Sequence, residues 1–274
     1  MTVVARNRAE LANALDALEG PVGLVPTMGA LHDGHRSLLS HARRSMQSVV
    51  VSVFVNPLQF GANEDLARYP RTFAADLAMC AAEGVDVVWA PGVEDMYPGG
   101  PSLVRVDPGP VGTILEGVHR PGHFGGMLTV VAKLLNLVRP AVGFFGEKDY
   151  QQLVLITRMV ADLELGVGIA GVPTVREADG LALSSRNIYL SPEERQRALA
   201  LSRALQSGRA AAGTAEQVLA AAWRELRAAD VTPQYLDLRG TDLGDAPATG
   251  KARLLVAATV GTTHLIDNME VLLS

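Results

Sequence analysis

The sequence predicts an α/β protein: a Rossmann-like N-terminal domain built on a parallel sheet, followed by a smaller α+β C-terminal domain. Helical and strand-like segments alternate as far as Val175, which is the signature of βαβ units. The strands are nearly continuous apolar runs, such as Val49–Val55, as a parallel sheet covered on both faces requires. Beyond Val175, two helices precede three strand-like segments that have no helices between them. We therefore expect domains at 1–175 and 176–274.

The same periodicities predict the individual elements. Expected helices of the N-terminal domain are Arg8–Leu18, Gly34–Arg44, Thr72–Glu83, Gly125–Leu137 and Tyr150–Asp162. Its expected strands are Val22–Thr27, Ser48–Val55, Val85–Ala90, Val142–Phe145 and Val167–Val172. The C-terminal domain is expected to contain helices Pro192–Ser207 and Ala215–Ala229 and strands Gln234–Leu238, Ala252–Val260 and Thr263–Asp267. A G-x-G-x-x-G run at 166–171 is not interpreted as a dinucleotide fingerprint, because a strand or turn follows it instead of a helix.

The composition limits the class of protein. The 274 residues are 48% hydrophobic, which supports a sizeable core. With 24 basic and 29 acidic side chains, the net charge of -5 gives no reason to expect a nucleic-acid partner. The single cysteine, Cys80, lies in an alanine-rich helical pattern and is expected to be a buried thiol. We see neither a secretory leader nor an apolar run of bilayer length, so we expect a soluble, cytoplasmic protein that binds no membrane.

The most informative stretch is HDGH at 32–35, where the strand Val22–Thr27 turns into the next helix. Backbone N–H groups and the positive end of the helix dipole make such a junction an anion site. Gly29, Ala30 and Gly34 are small enough to let the backbone approach a phosphate, so we predict a nucleotide-phosphate site. An ordinary polar loop is one alternative, and a shared zinc ion is another, although no nearby Cys or H-E-x-x-H pattern completes a coordination set.

Two further strand-end loops carry groups suited to carboxylate and phosphate chemistry. Gln59 follows the strand Ser48–Val55 through an Asn-Pro turn, and its carboxamide can donate to a substrate carboxylate or hydroxyl. Lys148 follows Val142–Phe145 and can offset negative charge on a transferring phosphate, while Asp149 lies at the expected helix start. A turn glutamine, a solvated lysine and a capping aspartate are the simpler alternatives.

Two more segments have similar chemistry. The run LSSRN at 183–187 places two hydroxyls beside a guanidinium, which can wrap phosphate oxygens, and a loop between domains can close over them. A serine-rich linker with a surface arginine is the alternative. The glycines of segment 119–126 suggest a flexible loop with Arg120 facing inward as a substrate gate, or a purely structural loop.

Taken together, six runs closely resemble the pantoate-β-alanine ligases, also called pantothenate synthetases, of the nucleotidyltransferase superfamily. The runs lie between about Val22 and Ser191 and are PTMGALHDGH, VSVFVNPLQF, YPRT, RPGHFGGMLTVVAKLLN, GEKDYQQL and PTVREADGLALSSRNIYLS. The resemblance implies a Rossmann-like domain with a small C-terminal lid, a homodimer, and Mg²⁺ with ATP. It also implies that (R)-pantoate attacks the α-phosphate of ATP, and that β-alanine then displaces AMP from pantoyl adenylate to give pantothenate, a coenzyme A precursor.

The resemblance also implies the site residues. ATP would contact Met28, Gly29, Ala30, Leu31, His32, Asp33, Gly34, His35, Gly146, Glu147, Lys148, Asp149, Val175, Leu183, Ser184, Ser185 and Arg186. The implied catalytic residues are His32, His35, Lys148, Ser184 and Arg186. In this assignment His35 is the proton donor, and the backbone near Val175 reads adenine. Gln59 and Gln152 would bind pantoate, with Gln59 also near β-alanine; the Mg²⁺ ligands are not implied.

Other functions are compatible with some of these loops. A nucleotidylyltransferase that transfers AMP to a phosphorylated acceptor would share the H-x-G-H loop, but its acceptor calls for more cations than the carboxamides of Gln59 and Gln152 supply. A tRNA synthetase is disfavoured by the acidic net charge. A non-catalytic nucleotide-binding protein would have no need of groups aimed at a leaving pyrophosphate.

Overall fold

The computed structural model describes residues 1–61 and 66–274, which form two compact units. The first unit comprises residues 1–147 and 151–172, and the second comprises residues 148–150 and 173–274. The expected fold class is confirmed, because the first unit is built on a parallel sheet and the second contains a small antiparallel sheet with helices.

A six-stranded sheet of order β1-β4-β3-β2-β5-β6 forms the first unit, and all its pairings are parallel. Its strands are β1 (Val3–Ala5), β2 (Val22–Thr27), β3 (Ser48–Val53), β4 (Val87–Trp89), β5 (Val142–Gly146) and β6 (Gly168–Val172). The helices are α1 (Arg8–Asp16), α2 (Asp33–Ser45), α3 (Phe73–Ala82), α4 (Val93–Met96), α5 (Glu116–His119), α6 (His123–Val138) and α7 (Tyr150–Asp162), of which Tyr150 belongs to the second unit.

The strand order reverses between β2 and β5. From β2 the chain proceeds to β3 and β4 on one side of the sheet, and it then crosses to β5 and β6 on the other side. Open α/β sheets bind ligands beyond the carboxyl ends of their strands at such a switch point. The loop that carries the HDGH run follows β2, so it lies at this point of the sheet.

Successive strand residues enter two different apolar clusters. Leu24 and Val50 pack with residues of α6 and α7. Val25 and Val51 pack instead with residues of α2 and α3. All four side chains are fully buried, which contributes roughly 1.5–3 kcal/mol for each. Helices therefore cover both faces of the sheet, which is why its strands are continuously apolar.

The second unit contains an antiparallel sheet of order β7-β8-β9 and two longer helices. These elements are α8 (Pro192–Ala211), α9 (Ala215–Ala228), β7 (Tyr235–Gly240), β8 (Gly250–Val260) and β9 (Thr263–Leu273). Both helices begin with capping boxes, since Ser191 pairs with Glu194 and Thr214 pairs with Gln217. Apolar residues of the helices and the sheet form a separate core.

Several details differ from the sequence-based expectations. Strand β1 was not expected, because three residues are too few to show a periodicity. Helix α6 begins at His123, two residues before the expected Gly125. The G-x-G-x-x-G run enters strand β6, as expected, and opens no helix. Cys80 is buried, as expected, and burial raises the pKa of its thiol to about 12.

No helix in the described ranges 1–61 and 66–274 is long and apolar enough to cross a membrane. The functional division into an ATP- and pantoate-binding domain at 1–175 and a lid at 176–274 stays a prediction.

Candidate active site

The loop after β2 has an unusual backbone. Gly29 and Ala30 have φ angles of +82° and +52°, so two consecutive residues occupy the left-handed region. Glycine adopts this conformation readily, but alanine rarely does. The hydroxyl of Thr27 accepts a hydrogen bond from the Gly29 N–H at 3.2 Å and donates to the carbonyl of Ser52 at 2.7 Å. The start of the loop is therefore tied to strand β3.

A buried carboxylate from α3 holds the next part of this loop. Asp76 accepts hydrogen bonds from the backbone N–H groups of Ala30 at 3.0 Å and Leu31 at 2.9 Å. The hydroxyl of Thr72 donates to the same carboxylate at 3.0 Å, and Asp76 is only 2% exposed. Sequence reasoning missed Asp76. The only available signal was Thr72 in the YPRT run, which says nothing about contact with a loop more than 40 residues earlier.

His32 and His35 lie at the N-terminus of α2, where each ring accepts a hydrogen bond from the backbone. The Gly34 N–H donates to Nδ1 of His32 at 3.1 Å, and the His32 N–H donates to Nδ1 of His35 at 3.3 Å. The two ring centroids are 4.2 Å apart. Because an Nδ1 that accepts carries no proton, a neutral ring with this contact holds its proton on Nε2. Each imidazole is thus oriented as an Nε2–H donor.

The carboxamide of Gln59 lies against the same loop. Gln59 ends a 3₁₀ helix, Pro57–Gln59, is 8% exposed, and directs its Nε2 group to the sulfur of Met28 at 3.1 Å. The Asn56 side chain caps this 3₁₀ helix and donates to Oε1 of Gln59 at 3.1 Å. A residue expected to bind pantoate therefore contacts a residue expected to bind ATP.

The two neighbouring glutamines of α7 differ in their surroundings. Gln151 is buried and its carboxamide bonds to the backbone N–H of Glu116 and to the carbonyls of Val111 and Ile114. The half-buried side chain of Gln152 makes no hydrogen bond to any described part of the chain. Gln151 therefore organises the segment before α6, whereas Gln152 keeps its hydrogen-bonding groups available to a ligand.

His123 links the segment 119–126 to Gln59. Its Nδ1 lies 2.9 Å from the Gln59 carbonyl oxygen, and its Nε2 lies 3.1 Å from a guanidinium nitrogen of Arg120. A guanidinium can only donate, so Nε2 accepts and Nδ1 carries the proton that is donated to Gln59. Arg120 is accordingly connected through His123 to the turn that carries Gln59, and its expected role as a gate stays a prediction.

In the second unit, the segment Lys148–Tyr150 packs on the antiparallel sheet, although only Glu147 separates it from β5 in the chain. The carbonyl of Lys148 accepts a hydrogen bond from the side chain of Asn268 at 2.9 Å. The guanidinium of Arg253 lies 3.8 Å from the Tyr150 ring centroid, and the Tyr150 hydroxyl donates to the Thr241 carbonyl at 2.8 Å. These contacts hold the backbone of Lys148.

The expected ATP-binding residues Val175 and Leu183–Arg186 lie on a hairpin and on the 3₁₀ turn that follows it. The Leu183 N–H donates to the Val175 carbonyl at 3.0 Å, and the hydroxyl of Ser184 accepts from the Arg186 N–H at 3.2 Å. Ser184 is thus the N-cap of the 3₁₀ helix Ser185–Tyr189, and its O–H can still donate. These hydrogen bonds therefore fix the backbone of the segment Leu183–Arg186.

Ion pairs made by two arginines connect this hairpin to other parts of the second unit. Arg176 makes two hydrogen bonds, at 2.6 and 2.9 Å, to the buried carboxylate of Asp267 in β9. Arg195 of α8 lies 2.6 Å from the carboxylates of Glu177 and Asp179. The hydrogen bonds from Arg195 hold the pKa of Glu177 below its ordinary value, although burial opposes this shift.

Comparison with known proteins identifies the family. The family model described as pantoate-beta-alanine ligase matches residues 3–270. The chain belongs to this family. It is 60% identical to the pantothenate synthetase of Nocardia farcinica over 268 residues, covering 96% of this chain and 83% of the relative. It is 59% identical to the enzyme of a Nocardioides species over 286 residues, covering 99% and 86%.

Solved structures of the ligase family agree with the fold. Pantothenate synthetase from Thermus thermophilus superimposes with a TM-score of 0.91 at 48% identity, covering 97% of this chain and 98% of the other. The pantoate-β-alanine ligase of Francisella tularensis, solved in complex with beta-gamma ATP and β-alanine, gives a TM-score of 0.83 at 36% identity, with coverages of 98% and 97%. The activity of the present chain is accordingly the ATP-dependent ligation of pantoate and β-alanine.

Proposed function

We propose that the loop after β2 binds the phosphates of ATP and that Gln59 and Gln152 bind (R)-pantoate, so that the ligation proceeds through pantoyl adenylate. The pair of histidines at the start of α2 is the observation that carries the proposal. Both rings have Nδ1 committed to a backbone N–H, which leaves Nε2–H as a donor on each. Two such donors at a helix N-terminus suit a phosphate that gains negative charge.

The proposed reaction has two steps. A carboxylate oxygen of pantoate bonds to the α-phosphorus of ATP, and the bond from that phosphorus to the bridging oxygen breaks, releasing pyrophosphate. The unprotonated amine of β-alanine then attacks the acyl carbon and releases one proton to solvent, while the bond from that carbon to the bridging oxygen breaks and AMP leaves with the former carboxylate oxygen. The protein contributes positioning and electrostatic stabilisation, and no bond to an enzyme side chain is required.

We assign each proposed residue a separate task. Nε2–H of His35 donates to the phosphate that is attacked, with His32 beside it, while the N–H of Gln59 binds an oxygen of pantoate. The remaining ATP contacts implied by the family resemblance come from 28–34, 146–149, Val175 and 183–186. Among these, Lys148, Ser184 and Arg186 of the second unit supply two cations and a hydroxyl to the phosphates.

We further propose that Mg²⁺ enters as the ion of MgATP. In the ranges 1–61 and 66–274, no group of three His, Cys, Asp or Glu side chains is arranged to hold a metal ion. Mg²⁺ commonly keeps several waters and binds through substrate phosphates, so such a group is not required. When bound, it would neutralise charge on the β- and γ-phosphates. We also propose a cytoplasmic homodimer in which 176–274 acts as a lid.

The histidine assignment can be tested without disturbing the helix cap. His32→Asn and His35→Asn each keep an acceptor close to the position of Nδ1 but lose the Nε2–H donor. We expect each variant to unfold at nearly the wild-type urea concentration, while adenylate formation falls at least ~100-fold, the typical cost of losing a transition-state hydrogen bond. The measurement is pantoate-dependent exchange of labelled pyrophosphate into ATP.

One control variant of His35 and two further variants extend this test. His35→Gln restores an N–H near the position of Nε2 and should recover part of the exchange rate. Lys148→Ala and Arg186→Ala should each lower exchange at least ~100-fold if they act on the phosphates. Near-normal exchange in both asparagine variants would contradict the assigned roles of His32 and His35.

A further inference from the structure

We propose that Tyr97 is a positioning residue, which acts through Asn56 to hold the Gln59 carboxamide with its N–H group, and not its carbonyl, turned toward pantoate. The proposal rests on the proposed role of Gln59 in pantoate binding. It concerns only residues of the first unit, and it follows from which atoms can donate and which can accept.

The direction of the Asn56 carboxamide is set by the backbone. The Leu58 N–H can only donate, and it lies 3.2 Å from one terminal atom of Asn56, which must therefore be Oδ1. The Gly126 carbonyl can only accept, and it lies 3.1 Å from the other terminal atom, which must be Nδ2. Asn56 is 1% exposed, so its carboxamide is shielded from bulk solvent.

Asn56 in turn sets the direction of Gln59. The second Nδ2 proton of Asn56 is donated at 3.1 Å to the Gln59 carboxamide, and the atom that receives it must be Oε1. The Gln59 Nε2 group consequently points away from Asn56, toward the sulfur of Met28 at 3.1 Å. A thioether is a weak acceptor, so the Nε2–H donors can turn to a stronger acceptor on a ligand. Gln59 is thereby committed to binding an oxygen acceptor, such as a carboxylate or hydroxyl oxygen.

Tyr97 completes this arrangement. Its hydroxyl donates to Oδ1 of Asn56 at 2.7 Å, the shortest contact that Asn56 makes, and its side chain is nearly inaccessible to solvent. Burial raises the pKa of Tyr97 to about 12, so the phenol remains a neutral donor at neutral pH. The Lys133 ammonium lies 5.5 Å from the ring centroid of Tyr97 and the Phe54 ring centroid lies 6.1 Å away. These neighbours hold the ring in place, so the hydroxyl is a fixed donor.

The first test is Tyr97→Phe, which keeps the ring and removes only the donor. We expect kcat/KM for pantoate to fall about tenfold, as loss of one buried hydrogen bond predicts, with KM for ATP changing less than about twofold. Ser48→Ala is the matched control, because Ser48 is a buried hydroxyl at the opposite end of β3 that bonds to the Glu19 carbonyl. It should leave kcat/KM for pantoate unchanged.

A double-mutant cycle separates positioning from a general structural role. If Tyr97 acts through Gln59, Tyr97→Phe should have no further effect on kcat/KM for pantoate in a Gln59→Ala background. An equal loss in both backgrounds, or no loss in either, would overturn the proposal for Tyr97. If Gln59→Ala itself leaves kcat/KM for pantoate unchanged, the proposed function of Gln59 fails instead.

Gln59→Glu tests the direction of the carboxamide directly. The substitution keeps an oxygen for the N–H of Asn56 but replaces the Nε2–H donor by a second, negatively charged oxygen. We expect kcat/KM for pantoate to fall at least ~100-fold at pH 8, because an acceptor would face an acceptor. Retained activity would mean that Gln59 uses its carbonyl, and the proposed direction would be wrong.

Discussion

Replacing Asp76 by Asn tests whether a buried carboxylate on α3 organises the loop that we assign to ATP. One carboxylate oxygen accepts from the Leu31 N–H and the Thr72 hydroxyl, and the other accepts from the Ala30 N–H. An amide oxygen can replace only one of these two oxygens. In the better orientation it keeps Leu31 and Thr72, and its NH₂ group then faces the N–H of Ala30, so that a donor opposes a donor.

The expected magnitude follows from these contacts. Asp76→Asn loses one charge-assisted hydrogen bond, worth roughly 1.5–3 kcal/mol, and leaves the Ala30 N–H unpaired or displaced, for a total of about 2–4 kcal/mol. If all of this free energy is lost from transition-state stabilisation, kcat/KM for ATP should fall between about 30-fold and about 1,000-fold, since 1.4 kcal/mol corresponds to tenfold. Thr72→Val removes one hydrogen bond to the same carboxylate without touching the loop, and should cost at most about tenfold.

Two measurements separate organisation of the loop from stability of the fold. Urea unfolding reports the global free energy, and pantoate-dependent pyrophosphate exchange at varied ATP reports kcat/KM for ATP. A much larger fall in kcat/KM for ATP in Asp76→Asn than in Thr72→Val would support a role of Asp76 in organising the loop. If Asp76→Asn keeps kcat/KM for ATP within about twofold of wild type, Asp76 only anchors α3, and the inferred role in the loop is refuted.

Two further substitutions test other contacts. Gly126→Ala places a Cβ against the Leu58 carbonyl oxygen with no room for it, so the turn that carries Gln59 must move and kcat/KM for pantoate should fall at least ~100-fold. Gly125→Ala, whose Cβ would lie 3.5 Å from its nearest neighbour, should be tolerated. Equal activity of the two variants would contradict this. Arg195→Met should destabilise the fold near pH 7, where Glu177 is ionised. Arg195 lowers the pKa of Glu177, so its contribution to stability is lost as Glu177 becomes protonated. The difference in unfolding free energy between Arg195→Met and wild type should therefore shrink as the pH falls below about 4.3. A difference that stays constant with pH would contradict this prediction.

The sequence by itself determined the class of fold and the chemistry of the loops. Continuous apolar strands alternating with helices require a parallel sheet covered on both faces, and the two clusters that receive Val50 and Val51 meet this requirement. His32 and His35 were recognisable because a cap and its helix are adjacent in the chain. A local sequence pattern is sufficient to predict an interaction wherever the interacting residues are neighbours in the sequence.

Only the tertiary structure decided which distant groups hold these loops in place. Asp76 lies 46 residues from Ala30, and Tyr97 lies 41 residues from Asn56, so no local periodicity connects either pair. The directions of the Asn56 and Gln59 carboxamides depend on a backbone carbonyl at Gly126, which α6 brings into contact. A sequence shows which side chains can donate or accept. Which donor meets which acceptor depends on the packing of helices and strands that are far apart along the chain.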